Sequence, residues 1–393
     1  MRIGIDVTCW WSRRGFGRFT RELVKAMLDR PRDHEVFLFV DREPEEPMQR
    51  PKVRIVQVAP SRHVTEAAVA SGSRSVRDVW AFTRAVSEHS LDLMYFPAVY
   101  SWFPVRPGLP SVVTFHDAIA ERFPQLVFPD WRGRLLWSLK VRCARWQARR
   151  IMTVSNAARD EIVAYLGVDP GRIDVVTEAA DARFQPVADP RRRAAARERA
   201  GLPAGKRLLV YVGGLAPHKN LIGLLRGFAR ALESSGLDDV HLALIGDPKG
   251  DGFHSHADEL RAFVAAEPRL HQRVHFTGFV PDEDLASLYS DALALILPSF
   301  SEGFGLPAIE AMACGIPVLG SRAGSVAEVA GDAGLYFDPH DATEIAGAIR
   351  RIACEVDVLS RLRATALERS REFTWARAAE LAWSCLEKAA RTG

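Results

Sequence analysis

Ser299-Phe-Ser-Glu-Gly-Phe-Gly-Leu-Pro-Ala-Ile-Glu310 lies between two apolar segments of different character. Ahead of it, Ala292-Leu-Ala-Leu-Ile-Leu297 is short and closed by Pro298, as a strand buried on both faces would be. Behind it, residues 306–314 are apolar and alanine-rich, the composition of a buried helix. Pro307 suits the first helical position, where a missing N–H costs nothing. The turn Gly303-Phe304-Gly305 therefore carries the chain from the carboxyl end of a strand to Leu306 at the amino end of a helix. Unpaired N–H groups point out of such an end, and the helix dipole favours an anion there. Glycines let a ligand approach the backbone closely.

Two carboxylates bracket this anion site. Glu302 stands in the loop, and Glu310 lies one turn inside the helix, about 5 Å further along its axis. Each can accept hydrogen bonds from neighbouring hydroxyls. A phosphate flanked by hydroxyl-rich groups describes a nucleotide-sugar, with ribose on one side and hexose on the other. The plainer reading stays open: Glu302 complements the dipole, and Glu310 sits on a solvated face.

Outward from this stretch the chain alternates strand and helix signals. In the first half strands are expected at 2–7, 35–40, 53–58, 91–96, 111–115, 151–154 and 174–177, with helices at 19–29, 76–88, 132–149 and 157–166. In the second half strands are expected at 208–212, 241–245, 274–276, 293–297, 317–320 and 335–337. Helices follow there at 221–233, 257–266, 282–289, 306–314, 325–330 and 343–355. Such alternation predicts an α/β fold of two doubly wound, mainly parallel sheets that face each other across a cleft, with ligands beyond the carboxyl ends of the strands. Residues 1–185 read as the first domain, 186–205, rich in Arg, Ala and Pro, as a linker, and 206–372 as the second domain. An amphipathic helix in 373–393 packs back toward the first.

With 393 residues the chain is long enough for two cores. It opens directly on a strand pattern without a secretory signal, and no apolar run reaches the length of a membrane span. Its five cysteines lack paired spacing, so a reducing cytoplasm is expected. The net charge of +3 hides an asymmetry. Residues 1–200 hold 33 Lys and Arg against 24 Asp and Glu, while residues 201–393 hold 19 against 25. The first half therefore expects an anionic partner: a membrane surface or a phosphorylated acceptor. Aromatic platforms and a nucleic-acid-binding pattern are both missing, which disfavours nucleic acid.

Four further stretches carry titratable or glycine-rich patterns. Arg14-Gly15-Phe16-Gly17-Arg18-Phe19, after the first strand, either cradles phosphate or makes a tight turn. No acidic residue follows the second strand where a dinucleotide's ribose would need one, Asp41 being the nearest, so an NAD enzyme is disfavoured. His116-Asp117 closes a strand: the imidazole can donate to a sugar hydroxyl with Asp117 orienting it, or it is satisfied within its loop. Gly213-Gly214-Leu-Ala-Pro-His-Lys219 puts a cation at a helix start, against the dipole. A bound diphosphate would explain it, and so would a solvated lysine. Asp282-Glu-Asp284 follows the Asp-x-Asp pattern of metal-dependent transferases, or caps the helix after Pro281. Finally, residues 132–150 hold seven Lys and Arg and no acid, with Trp131, Trp137 and Trp146. They suit either an anionic lipid surface or a basic helix with its tryptophans inward.

Together these motifs resemble the retaining GT-B glycosyltransferases, in the large family of bacterial mannosyl- and glucosyltransferases called family 4 or group 1. The similarity is strongest over 211–339, through Phe276-Thr-Gly-Phe-Val-Pro-Asp-Glu-Asp-Leu285, Ser301-Glu-Gly-Phe-Gly-Leu-Pro-Ala-Ile-Glu310 and Ala313-Cys-Gly-Ile-Pro-Val318. It continues faintly through Gly15-Phe-Gly-Arg-Phe19, Thr114-Phe-His-Asp117 and Val154-Ser155. The resemblance implies two Rossmann-like domains and a nucleotide-diphosphate sugar as co-substrate. It makes Glu310 the ribose ligand, puts Glu302 and His116 near the transferred sugar, and gives Lys219 the diphosphate. Gly214 stands where the family often has arginine, which leaves the diphosphate to Lys219 and the helix end, with Arg18 as a further candidate. The family's usual Asn-Gly-Val-Asp is Glu178-Ala-Ala-Asp181 here, so the hinge or acceptor side differs.

The function so implied is metal-independent transfer of a hexose, mannose favoured, to a hydroxyl of a glycan, glycolipid or lipid-linked acceptor, with retention. The catalytic set expected is Glu302, His116 and Lys219, with Gly15, Gly17, Arg18, Gly213, Gly214, Gly303, Phe304, Gly305, Leu306 and Glu310 at the donor. A nucleotide-sugar epimerase, a phosphorylase and a catalytically silent nucleotide-sugar-binding scaffold are the alternatives.

Overall fold

Thirteen parallel strands in two separate sheets answer the thirteen strand signals, the described residues being 1–30, 32–43, 48, 50–59, 75–247 and 256–391 of a computed structural model. The chain divides into two units, Met1–Glu178 with Trp375–Gly393, and Ala179–Thr374.

In the first unit β1 (Arg2–Asp6), β2 (Glu35–Val40), β3 (Val53–Gln57), β4 (Leu93–Phe96), β5 (Ser111–Thr114), β6 (Ala148–Thr153) and β7 (Ile173–Val175) form a sheet in the order β3-β2-β1-β4-β5-β6-β7. β4 and β5 are buried along their whole length, the consequence of helices on both faces, whereas the edge strand β3 exposes Arg54 and Ile55. The helix Gly15–Leu28 starts four residues earlier than expected, so Gly15, Gly17 and Arg18 form its first turn instead of a loop ahead of it. A Cβ on Gly17 would lie 2.2 Å from the Ser12 carbonyl oxygen, so close backbone packing alone demands glycine there. The expected helix at 132–149 ends at Gln147, and β6 takes the next three residues into the sheet. The acidic loop after Asp41 lies largely outside the described residues.

The C-terminal helix Trp375–Arg391 completes the first unit. Its Trp383 is 1% exposed and donates to the Met27 carbonyl, and Lys388 pairs with Asp174 at 2.9 Å.

In the second unit β8 (Arg207–Val212), β9 (Val240–Ile245), β10 (Val274–Gly278), β11 (Ala294–Leu297), β12 (Val318–Ser321) and β13 (Gly334–Phe337) run in the order β10-β9-β8-β11-β12-β13. Residues 186–205, read as a linker from their composition, fall within this unit and hold the helix Pro190–Arg199. Arg197 and Arg199 of that helix pair with Asp291 and Asp284, tying it to the helix Asp282–Asp291.

Winding reverses between β8 and β11, which are paired through Ala294 with Leu209 and Leu295 with Val210. Loops leaving neighbouring strands diverge at such a switch point, and the gap between them is where α/β sheets bind ligands. The loops in question are those of Lys219 and Glu302.

Candidate functional site

Two local and two long-range features position the β8 loop. The segment Pro217–Lys219 is a single 3₁₀ turn, and Asn220 follows in the left-handed region at φ 54°, a conformation asparagine tolerates better than most residues. The buried Asn220 amide donates to the carbonyls of Pro298 (3.1 Å) and Pro339 (2.6 Å), and so pins this loop to the ends of β11 and β13. The Phe300 N–H donates to the His218 carbonyl at 3.0 Å. Two loops 80 residues apart in sequence are thereby stitched together along their backbones.

Side chains close the same seam. The Lys219 ammonium donates to both Glu302 carboxylate oxygens at 2.8 Å, and the Ser299 hydroxyl donates to Oε1 at 2.6 Å. Lys219 is therefore neither solvated nor opposed to the dipole without compensation, for its counter-charge is Glu302. Burial pushes the Glu302 carboxyl up, but the Lys219 ammonium, with its hydrogen bond and that of Ser299, outweighs burial and holds the group below the ordinary carboxylate value. The backbone of Glu302 is fixed as well. Ser325 Oγ donates to its carbonyl at 3.0 Å, and Gly324, at φ +73°, approaches so closely that a Cβ there would stand 2.7 Å from the Glu302 nitrogen.

Gly305 caps the helix Leu306–Ala313 in the left-handed region at φ 84°, which glycine adopts without strain. Pro307 takes the second helical position, one later than expected, where its missing N–H still removes no intrahelical bond. Glu310 is 3% exposed, so the solvated-face reading is overturned. Burial, with the Glu310 charge adding to it, pushes the nearby Cys314 thiol up to about 12. Gly213 and Gly214 lead into the β8 loop, and the Gly214 carbonyl accepts from the buried Tyr211 hydroxyl at 2.6 Å.

His218, within the glycine-turn stretch, has no role assigned from the sequence. Burial, reinforced by Lys219, brings its pKa down to about 3, against a smaller opposing pull from Glu302. The ring folds neutral, and its buried Nδ1 has no hydrogen-bond partner among the described residues. The unfolded chain takes up this proton near pH 6.5 and the folded chain only near 3, so the stability His218 contributes is complete above 6.5 and drains away as pH falls between those values. A His218→Phe chain should show a flatter decline in melting temperature over that window than the wild type.

The acids of Asp282-Glu-Asp284 are engaged by arginines. Asp282 and Glu283 face Arg183 at 3.2 and 3.5 Å, and Asp284 holds Arg199. The N-cap is Pro281, without a side-chain cap, so these carboxylates complement the dipole from the first turn instead of capping it.

In the first unit, His116 Nε2 lies 3.0 Å from the Pro97 carbonyl oxygen and Nδ1 lies 3.5 Å from Glu178 Oε1. Asp117 was expected to orient that ring, yet its Oδ1 accepts the Ile119 N–H at 3.0 Å, in a local turn. The structure thus gathers Lys219, Glu302 and the Gly303–Leu306 turn at one switch point. Gly15, Gly17, Arg18 and His116 belong to the other unit.

On the basic helix Trp131–Gln147, Trp137 is inward and donates to Glu121 at 2.8 Å. Trp131 (68% exposed), Trp146 (86%), Leu135, Leu136 and Leu139 face solvent, so only one of three tryptophans is tucked in.

Two parallel, doubly wound sheets with an anion-type turn beside the second switch point define an α/β protein of the GT-B class. The chain belongs to the group 1 (family 4) glycosyltransferases: residues 13–184 match the model "Glycosyltransferase Family 4" and residues 192–368 the model "Glycosyl transferases group 1". It is 31% identical over 265 residues to O-antigen chain mannosyltransferase B of Escherichia coli, covering 67% of each chain. It is also 31% identical over 278 residues to D-inositol 3-phosphate glycosyltransferase of Rhodococcus opacus, covering 70% of this chain and 61% of that one. The match thus spans about three fifths of the latter's length. Among solved structures, Anabaena HepE in complex with UDP-glucose superposes with a TM-score of 0.73 at 18% identity, covering 98% of this chain and 99% of that one.

Proposed function

We propose that this chain transfers a hexosyl group, with mannose favoured, from a nucleotide-diphosphate sugar to a hydroxyl of a glycan, glycolipid or lipid-linked acceptor, with retention and without a metal. One observation carries the reading: a lysine and a glutamate on loops from adjacent strands meet at the switch point, beside a glycine-capped helix end. Negative charge grows on the diphosphate as it departs. The Lys219 ammonium and the N–H groups of the Gly303–Leu306 turn are preorganised to meet it. In same-face attack the leaving phosphate takes the acceptor's proton, with Glu302 by the transferred sugar and Glu310 on the ribose. The engagement of Asp282, Glu283 and Asp284 by arginines supports the metal-independent reading.

The similarity to a mannosyltransferase supports mannose, and the UDP-glucose complex of a fold relative keeps UDP donors in view. A thermal-shift panel of GDP-, UDP-, ADP- and dTDP-sugars resolves the base, since a ligand of the folded state raises its melting temperature. Acceptor-dependent release of nucleoside diphosphate is the expected result with the donor so found. Interconversion of donor sugars without an acceptor would instead make the protein an epimerase.

A cytoplasmic chain at the inner membrane face fits the helix Trp131–Gln147, whose exposed tryptophans and leucines are interspersed with exposed arginines. Among the described residues no helix is long and apolar enough to cross a membrane. The chain should float with vesicles containing anionic lipid at low salt, and Trp131→Ser with Trp146→Ser should cut the floated fraction several-fold. Equal flotation with neutral lipid would count against the basic face.

A further inference from the structure

Glu178 ends the first of the two chain segments that make up the first unit, and its side chain is 5% exposed. Its Oε1 lies 3.5 Å from Nδ1 of the His116 ring, which is 10% exposed. On the opposite side of the ring, Nε2 faces the Pro97 carbonyl at 3.0 Å. Phe19 meets the imidazole edge-on, with centroids 4.8 Å apart and planes at 88°, and Trp375 backs Phe19 at 6.2 Å. Both ring nitrogens thus face protein oxygens while an aromatic edge holds the ring plane. Flipping the ring or turning it about its stem would break the Pro97 contact and the Glu178 contact together.

The three partners come from three strand ends. Pro97 directly follows β4, His116 lies two residues beyond β5, and Glu178 lies three beyond β7, with β6 between the last two in the sheet. Through His116, the carboxylate therefore ties the chain leaving the first unit to the strand ends nearer its switch point. An asparagine side chain is one methylene shorter, so the reach from this backbone position depends on glutamate.

We propose that Glu178 is a positioning residue for His116, fixing the orientation of the imidazole and with it the loop that leaves β5. The catalytic arm of its test rests on the transferase reading above; the spectroscopic arm does not. In nitrogen–proton spectra of the imidazole groups, Glu178→Ala should move the His116 ring signals while those of His241 and His275, in the other unit, stay in place. Under the transferase reading, Glu178→Ala should lower kcat about ten-fold with donor KM within about two-fold, the signature of a misplaced reacting group. Glu178→Gln, of equal length, should recover most of that kcat, and Glu178→Asn should not. Adding Glu178→Ala to His116→Ala should cause no further loss, because a residue that acts only through another is not additive with it.

Unmoved His116 signals in Glu178→Ala, or additive losses in the double variant, would overturn the proposal. Should Glu178→Ala not fold, the Glu178→Asn chain supplies the same comparison. A wild-type chain without transfer would overturn the transferase reading, and the spectra would still decide the positioning.

Discussion

Replacing Lys219 with Met should lower kcat/KM for transfer by roughly a hundred- to a thousand-fold, the usual effect of removing a group aimed at developing charge. The ammonium is held by both oxygens of Glu302 at 2.8 Å, and the loop beneath it is pinned by Asn220 and by the Phe300–His218 backbone bond. A diphosphate arriving there would meet a cation whose loop is already fixed, with the Glu302 carboxylate as its competitor. The substitution has a second effect. It leaves the Glu302 carboxylate without its cation, and burial then acts on that group with chiefly the Ser299 hydroxyl against it. The thermal shift given by nucleoside diphosphate should largely vanish in the same variant. Activity within a few-fold of wild type would remove Lys219 from the donor site.

Glu302→Gln should separate binding from turnover. The Glu302 carboxylate occupies the place an anion would take against Lys219, so it competes with the diphosphate for the ammonium. The amide does not compete as a charge. Nucleoside diphosphate should therefore bind the variant at least as tightly as the wild type by calorimetry, while kcat falls roughly a hundred-fold or more. Weaker binding would mean that the carboxylate is part of the grip. Unchanged kcat would place the chemistry elsewhere.

The same variant reports on stability. The folded-state pKa of Glu302 lies below the ordinary value of 4.5, so its contribution is present above 4.5 and is lost as pH falls through the folded value. Acid unfolding of Glu302→Gln should accordingly be flatter below about 4.5 than that of the wild type.

Local pattern carried much of this molecule. Ala292–Leu297 has no polar side chain to present to water, so it had to be a strand covered on both faces, and β11 is buried throughout. The other twelve strands fall within about three residues of their expected bounds, and those buried on both faces, such as β4 and β9, are uninterrupted or nearly uninterrupted apolar runs. Helix starts were harder. Gly15 and Gly17 read as a loop, since glycine is a poor helix former. The Ser12 carbonyl that requires Gly17 inside the first turn is a packing partner and not a propensity. That the helix Pro190–Arg199 belongs to the second unit was obscured for a similar reason: its arginines look like a solvated linker until Asp284 and Asp291 are brought beside them.

At the candidate site the division is sharper. The sequence alone determined that Gly303–Leu306 turns a strand into a helix end, that Lys219 stands at a second such end, and that a fold with two anion-type turns follows. These are local facts, set by backbone propensities within a few residues. Only the tertiary structure decided that Lys219 is neutralised by Glu302 and not by water, that Glu310 is buried, that His218 stays neutral, and that Glu178 rather than Asp117 attends His116. Each of those depends on which strands are neighbours. Charge interactions and desolvation act through space, and the distances that govern them do not exist until the sheet has formed.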